Sequence, residues 1–413
     1  MGELLDLADR IWTGAERIQD HNPFQPLLKL EEVVPGVAFL SSFANVAAVE
    51  TGEGLVLFDT GSPFLAETNH QQVRGWSSSH LHTAIYTHGH IDHACGVGPW
   101  DEEAAAQGRP APRVVAHRAV AARFDRYRLT AGYNTAINRR QFRVPGLSWP
   151  TEYRYPDTTY DQDLVLEIGG ERFELHHALG ETDDHTWTWM PSRRVLFTGD
   201  LVVWVSPNCG NPQKVQRYPR EWAAGLRRMA ALEPDLILPG HGFPIAGRDR
   251  AVQALSEAAQ LLEGLVEATL AMMNAGATLD EIVHTVQPDP ALSDRPYLQP
   301  IYDEPEFIVR NLWRLYGGWY DGNPANLKPA PEAALAGELA ALAGGAPRLA
   351  ERALELSAKG EHRLACHIAE LAWRAAPDLE SVKAARAAVY RARGETETSL
   401  MARSIFNGVA DPQ

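Results

Sequence analysis

The amino-acid sequence predicts an α/β domain followed by an all-α domain. Three observations lead there. Over roughly the first 250 residues, short β-rich runs recur, most ending in a turn and a polar side chain. From about residue 251 the texture changes to alanine- and leucine-rich stretches of helical character. The chain has 413 residues, more than one hydrophobic core usually serves. The boundaries read as 1–250 for the first domain and 251–413 for the second.

The elements follow in order. Residues 36–61, GVAFLSSFANVAAVETGEGLVLFDTG, hold three β-rich runs broken by turn residues. TAIYTHGH (83–90) and PRVVAH (112–117) are short apolar strands with polar ends. DLVLEIGGERFELHH (163–177) is a hairpin with Gly169 and Gly170 at its turn. VLFTGD (195–200) and LILPGH (236–241) share one plan: an apolar strand, a tight turn, then a side chain able to bind metal. Open α/β sheets commonly place their chemistry at strand ends. Residues 251–276 form a helix ending at Gly276. TLDE follows, with Thr278 as N-cap and Glu281 three residues on, a capping box. A proline- and aromatic-rich segment spans 296–331, and the tail from 333 is helical. In that tail Gly360 and Gly394 stand 34 residues apart in two similar stretches, the period of a tetratricopeptide-type helical hairpin. Stacked repeats need about three copies to bury a core alone, so this tail is expected to rest on the rest of the chain, on a second subunit, or on both.

Charge excludes some partners. Lys plus Arg number 38 and Asp plus Glu 53, a formal charge of −15, which repels nucleic acid and anionic membranes at long range. A small anion would need a local basic patch or a metal. Three scattered cysteines, Cys95, Cys209 and Cys366, indicate neither a disulfide framework nor a thiolate zinc site, and suit a reducing compartment. The first twenty residues are polar and amphipathic, without the basic and apolar regions of a signal peptide, so a cytoplasmic location is expected. No apolar run is long enough to span a membrane.

The strongest chemistry lies in THGHIDHACG. It holds His88, His90, Asp92 and His93 within six residues at the end of a strand. Imidazole and carboxylate are good zinc ligands. One segment cannot aim all four at a single ion. The spacing suits two ions, with His88 and His90 on one and Asp92 and His93 on the other. The plain alternative is a histidine-rich polar turn.

This cluster resembles that of the metallo-β-lactamase superfamily, and further motifs follow in that family's order. Asp59 lies in FDTGS, GETDDH is the third motif, Asp200 lies in LFTGD and His241 in LPGHG. The resemblance implies an αββα sandwich, with Asp59 orienting the metal loop, Asp200 bridging two metals and His241 completing the second. Many members read G-H-T-x-x-H at the third motif; here Glu181 takes the place of the ligand histidine. The metal-dependent alkyl sulfatases of that superfamily also place a glutamate there. As in them, a carboxylate (Asp200) follows 19 residues later, and an asparagine (Asn208) follows 8 residues after that. Residues 302–329, YDEPEFIVRNLWRLYGGWYDGNPANLKP, resemble the start of their helical dimerisation domain. Two features differ. The bridging position is Asp200 where those enzymes carry glutamate, and NPQKVQRYP replaces their arginine-containing stretch, leaving Lys214 or Arg217 as substitutes.

The resemblance thus implies a binuclear zinc-dependent hydrolase of sulfate esters that activates water between two ions. Zinc, two per subunit, is expected, with iron or manganese as alternatives. His88, His90 and Glu181 would hold one ion, Asp92, His93 and His241 the other, and Asp200 both. Asn208 with Lys214 or Arg217 would bind sulfate oxygens; His185 or Tyr133 would supply a proton. Glutamate in place of neutral histidine adds one negative charge to the ligands, which should weaken the pair as a Lewis acid. The expected partners are a small anionic ester and a second copy of the chain, joined through the helical domain. The same motifs also allow a hydrolase of phosphodiesters, lactones or thioesters, or a di-iron redox protein. A non-catalytic binding protein is opposed by the intact ligand set. Neither a G-x-S-x-G elbow nor a P-loop is present.

The remaining residues divide between plain and functional readings. The arginine-rich stretch 123–143, with Tyr133 and Asn134, is either a lid that draws in anions or a solvated helix face. One of His176 and His177 faces inward by strand alternation. Trp187, Trp189 and Trp204 read as core; Trp313, Tyr316 and Trp319 read as an interface. Cys95 and Cys209 read as packing residues.

Overall fold

The computed structural model describes residues 2–411, and they form two compact units. The first contains residues up to 131, 150–277 and 281–318. The second contains 132–149, 278–280 and the chain from 319. The sequence places the boundary at residue 250. The packing instead keeps the long helix Arg248–Asn274 and the helix Pro305–Gly317 in the first unit. The helix Arg248–Asn274 buries Ala251, Leu255, Ala259, Leu262 and Leu265 along one stripe, an apolar face that needs a partner.

The first unit carries two sheets. One runs in order β1 (Lys29–Val34), β2 (Val37–Ser41), β3 (Val46–Thr51), β4 (Gly54–Phe58), β5 (Leu81–Ile85), β6 (Arg113–His117) and β7 (Thr158–Tyr160). Its first four strands pair antiparallel, and β4 to β7 pair in parallel. The other sheet is built from β8 (Asp163–Ile168), β9 (Glu171–Ala178), β10 (His185–Met190), β11 (Val195–Gly199), β12 (Leu236–Pro239) and β13 (Ile245–Ala246), in spatial order β13-β12-β11-β10-β9-β8. Within it only β11 and β12 are parallel. The turn between β8 and β9 is the expected two-residue one, with positive φ at both Gly169 (54°) and Gly170 (87°). A type I′ turn requires that.

Alternation along the strands sorts the apolar residues onto two faces. Val37, Phe39, Val49, Val56, Phe58, Ile85 and Val115 meet Phe173, Leu175, Met190, Phe197 and Leu238 between the sheets. Phe58 stacks on Phe197 with centroids 3.6 Å apart. The intervening residues Ala38, Leu40, Ala48, Leu57, Ala84 and Val114 face helices through Val73, Trp100, Val120 and Phe124. Both faces of the first sheet are therefore buried, which is why its strands read as continuous apolar runs. Trp187, Trp189 and Trp204 are buried, as expected.

The second unit is helical. Ala346–Ala358 with His362–Ala375, and Glu380–Glu395 with Leu400–Ala410, form two successive helical hairpins. Their core is made of small and medium side chains: Ala350, Ala353, Ala365, Ala369, Ala372, Val382 and Val389. Gly360 lies in a turn with φ of 80°. Gly394 lies in the last turn of its helix, close against Asn407. No helix among the described residues is long and apolar enough to cross a membrane.

Candidate metal centre

The candidate ligands leave the sheets at neighbouring strand ends. Asp59 follows β4, and His88 comes three residues after β5, in a segment that runs into the short helix Ile91–Ala94. Glu181 lies between β9 and β10, Asp200 follows β11, and His241 comes two residues after β12. Because β4 and β5 are parallel, as are β11 and β12, each pair delivers its loops at the same end of its sheet. Close approach is demanded of Gly240, where a Cβ would collide with Asp200 Oδ1 and the Gly199 carbonyl carbon.

Two donor groups result. His88, His90, Glu181 and Asp200 form one; Asp92, His93 and His241 form the other. Within each, the ligand atoms lie within 4.8 Å of one another. Asp200 reaches both: Oδ2 is 3.9 Å from His88 Nε2 and 3.5 Å from His241 Nε2, and Oδ1 is 3.2 Å from His93 Nε2. Glu181 Oε2 lies 3.7 Å from His88 Nε2 and 3.8 Å from His90 Nδ1. His241 Nε2 lies 3.5 Å from Asp92 Oδ2.

This donor set fits divalent metal. His93 Nε2, Glu181 Oε2 and Asp200 Oδ1 are buried without a well-formed hydrogen bond among the described residues. Each such orphan costs about 1–3 kcal/mol, and cations at this point would satisfy all three. Asp59 holds the imidazoles in the required tautomer. Its Oδ2 takes the His93 Nδ1 proton (2.7 Å) and the Thr87 hydroxyl proton (2.8 Å), and the Thr87 oxygen lies 3.0 Å from His88 Nδ1. The Thr87 N–H donates to Asp59 Oδ1 at 2.7 Å. The Nε2 atoms of His88 and His93 therefore turn towards the site.

The electrostatics call for positive charge. Burial holds His88 and His90 well below the usual histidine range, hence neutral. Burial also opposes a proton on His93 and His241, but carboxylates outweigh it. Asp200, Asp59 and Asp92 hold His93 well above its usual range, and Asp200 and Asp92 lift His241 to about 9. In the metal-free chain these protons occupy the place of cations. Burial and Asp200 push Glu181 up to about 8 against the pull of Arg217.

The other predicted residues fall out differently. Asn208 donates from Nδ2 to Glu181 Oε1 at 2.5 Å, and Arg217 Nη1 donates to the same oxygen at 2.6 Å. Both therefore act on the glutamate, where the sequence assigns them to sulfate. Lys214 is half-buried within electrostatic reach of Arg217, Asp92 and Glu181; burial and Arg217 push its ammonium down to about 8. His185 is wholly buried, stacked on His88 at 4.6 Å, with Nε2 donating to the Thr198 carbonyl at 3.1 Å. That placement supports His88; it does not suit a proton donor to substrate. Tyr133 is 65% exposed on a helix of the second unit. The arginine-rich stretch is no uniform lid, because Arg123 is buried and paired with Asp183 and Asp184. His177 stacks on His117 at 3.9 Å, and His176 bonds Asp163 at 2.5 Å, so neither joins the ligand groups.

Four residues escaped the sequence reading. Asp184 accepts from the Gly89 N–H at 3.0 Å and from Arg123 Nε at 2.6 Å, tying the His88–His90 loop to the helix Ala119–Leu129. Asn45 donates to the carbonyls of Pro239 and Gly242, bracing the His241 turn. Phe24 lies on His241 (4.5 Å) and stacks on Tyr302 (4.0 Å). Tyr302 is buried, its phenol held well above the usual range by burial and by Glu181 and Asp92. Only Tyr302 and Asp184 lay in motifs already singled out.

Residues 42–241 match the metallo-beta-lactamase superfamily, and residues 278–412 match the alkyl sulfatase dimerisation family. The chain is 26% identical over 380 residues to a linear primary-alkylsulfatase from a Pseudomonas strain, covering 87% of this chain and 72% of that protein. It is 27% identical over 406 residues to an (R)-specific secondary-alkylsulfatase from Pseudomonas, covering 89% and 60%. It is 25% identical over 370 residues to an alkyl/aryl-sulfatase from Saccharomyces cerevisiae, covering 83% and 56%. The chain thus spans between about half and three quarters of these relatives. The solved structure of the stereoselective inverting sec-alkylsulfatase Pisa1 from Pseudomonas shares the fold, with a TM-score of 0.82 at 23% identity over 93% of this chain and 66% of that one. Residues 42–241 thus carry a metallo-beta-lactamase superfamily domain, and residues 278–412 an alkyl sulfatase dimerisation domain.

Proposed function

We propose that this chain hydrolyses alkyl sulfate esters at a centre of two zinc ions, R–O–SO₃⁻ and water giving R–OH and hydrogen sulfate. One observation carries the reading: Glu181 offers its unpaired Oε2 beside His88, His90 and Asp200, with Asn208 on its other oxygen. The alkylsulfatase names of the relatives support it. His88, His90, Glu181 and Asp200 would hold one ion, and Asp92, His93 and His241 the other. Bound there, zinc would lower the pKa of water and offset charge on ester oxygens.

The chain's own residues do the rest. Lys214 draws in the anionic ester. Asn208 has one amide end on Glu181, and its Oδ1 lacks a partner among the described residues, so it orders the space beside the glutamate. Tyr302, kept protonated, supplies the proton for the departing alcohol. Two chains pair through the second unit. Three unpaired cysteines fit work in the reducing cytoplasm.

A panel tests the substrate class. Primary and secondary alkyl sulfates of several chain lengths are assayed beside phosphodiesters, lactones and thioesters. Turnover confined to sulfate esters is expected. Turnover of another class with none of the sulfates would replace the reading with a different hydrolase of this fold.

A further inference from the structure

Glutamate among the ligands brings a negative charge that histidine does not, and the structure shows where that charge goes. Arg217 is 2% exposed and Glu181 2% exposed. Arg217 Nη1 donates to Glu181 Oε1 at 2.6 Å and also to the Asn208 carbonyl. Asn208 Nδ2 donates to the same carboxylate oxygen. Arg217 is itself held at its backbone: its carbonyl accepts from Asn311 Nδ2 at 3.0 Å, on the helix Pro305–Gly317. A buried guanidinium beside a cation site is costly unless a carboxylate pairs with it. It would also repel the metals. Its presence makes physical sense as a counter-charge.

We propose that Arg217 is a positioning residue for the metal centre. It clamps Glu181 Oε1, leaving Oε2 as the ligand atom, and cancels the added charge. Glu181 and Arg217 together then present the net charge of one neutral histidine. The inference rests on Glu181 being a ligand, and it revises two sequence expectations: Arg217 as a sulfate-binding group, and a ligand set more negative by one.

The test reads zinc affinity without substrate, by competition with a chromophoric chelator, on the full chain. Arg217→Gln is expected to weaken one of the two zinc ions about 10–100-fold, the usual effect of losing a partner that orients a ligand. In a Glu181→His background there is no carboxylate to clamp. There the same substitution should change affinity by no more than about twofold, the limit of additivity, or tighten binding. Arg217→Lys keeps the charge without the planar fork and should restore part of the loss. If circular dichroism shows Arg217→Gln unfolded, Arg217→Lys is read in both backgrounds instead. Wild-type affinity for both ions with only a raised KM for alkyl sulfate would overturn the proposal and make Arg217 a substrate-binding group. Equal losses in the wild-type and Glu181→His backgrounds would also overturn it. Since no substrate enters the zinc measurement, failure of the sulfatase reading leaves this result interpretable.

Discussion

Replacing Asp59 by alanine should disable both metal groups at once, although Asp59 is not among the predicted ligands. Its carboxylate receives the Thr87 N–H, the Thr87 hydroxyl and the His93 Nδ1 proton, at 2.7, 2.8 and 2.7 Å. Thr87, His88 and His93 are all buried, so water cannot replace the lost acceptor without opening the site. An unsatisfied buried donor costs about 1–3 kcal/mol, and two or three such groups together cost roughly 3–6 kcal/mol. Asp59 also has a φ of 59°, a conformation that aspartate and asparagine tolerate better than alanine. The ligand effect is separate. His93 belongs to one donor group and His88, reached through the Thr87 hydroxyl, to the other, so both rings lose their fixed tautomer. Zinc affinity should fall about 10–100-fold at each site. Asp59→Asn keeps the shape and one acceptor, and should lose less stability than alanine while still weakening zinc. Thermal unfolding of the metal-free chain and chelator competition read the two effects apart. An Asp59→Ala chain that binds two zinc ions with wild-type affinity would refute the reasoning.

Other consequences follow from the same contacts. Glu181→Ala should lose bound metal and activity together. It should also cost the metal-free chain about 1–3 kcal/mol in unfolding experiments, because Asn208 and Arg217 lose their shared buried acceptor; two bound metals with full activity would remove Glu181 from the ligands. Asp184 is pushed up by burial, but Arg123 outweighs this and holds its pKa below the ordinary value of 3.8. Its stabilisation is therefore complete above about pH 4 and lost as pH falls through the lowered pKa. Asp184→Asn should flatten that acid limb in urea unfolding of the metal-free chain, and an unchanged limb would contradict the pairing. Sedimentation should give twice the chain mass at micromolar concentration; a monomer would remove the pairing assigned to the second unit.

The parts legible in the sequence were those written locally. Apolar runs ending in polar side chains marked β5, β11 and β12, and spacing placed His88, His90, Asp92 and His93 on one loop. Gly169-Gly170 gave the β8–β9 turn because only one turn type suits two residues of positive φ. Side-chain pairings between distant segments were not legible. Arg217 meets Glu181 across 36 residues, and Arg123, on the helix Ala119–Leu129, meets Asp184 across 61, approaches that no periodicity encodes. Hence Arg217 read as a group for anions, while its guanidinium pairs with Glu181. His185 ends the GETDDH motif and looked available, but β10 begins at that residue and buries its ring under His88. The boundary near 250 followed a change of composition. Composition does not reveal that the helix Arg248–Asn274 lays its apolar stripe within the first unit.

The most direct measurement is inorganic sulfate released from a primary alkyl sulfate by metal-stripped chain titrated with zinc. The geometry predicts release that grows with zinc and levels off near about two equivalents per chain, as a two-metal site requires, with little release from Glu181→Ala at any loading. No sulfate at any zinc loading, with a phosphodiester, lactone or thioester hydrolysed under the same conditions, would contradict it.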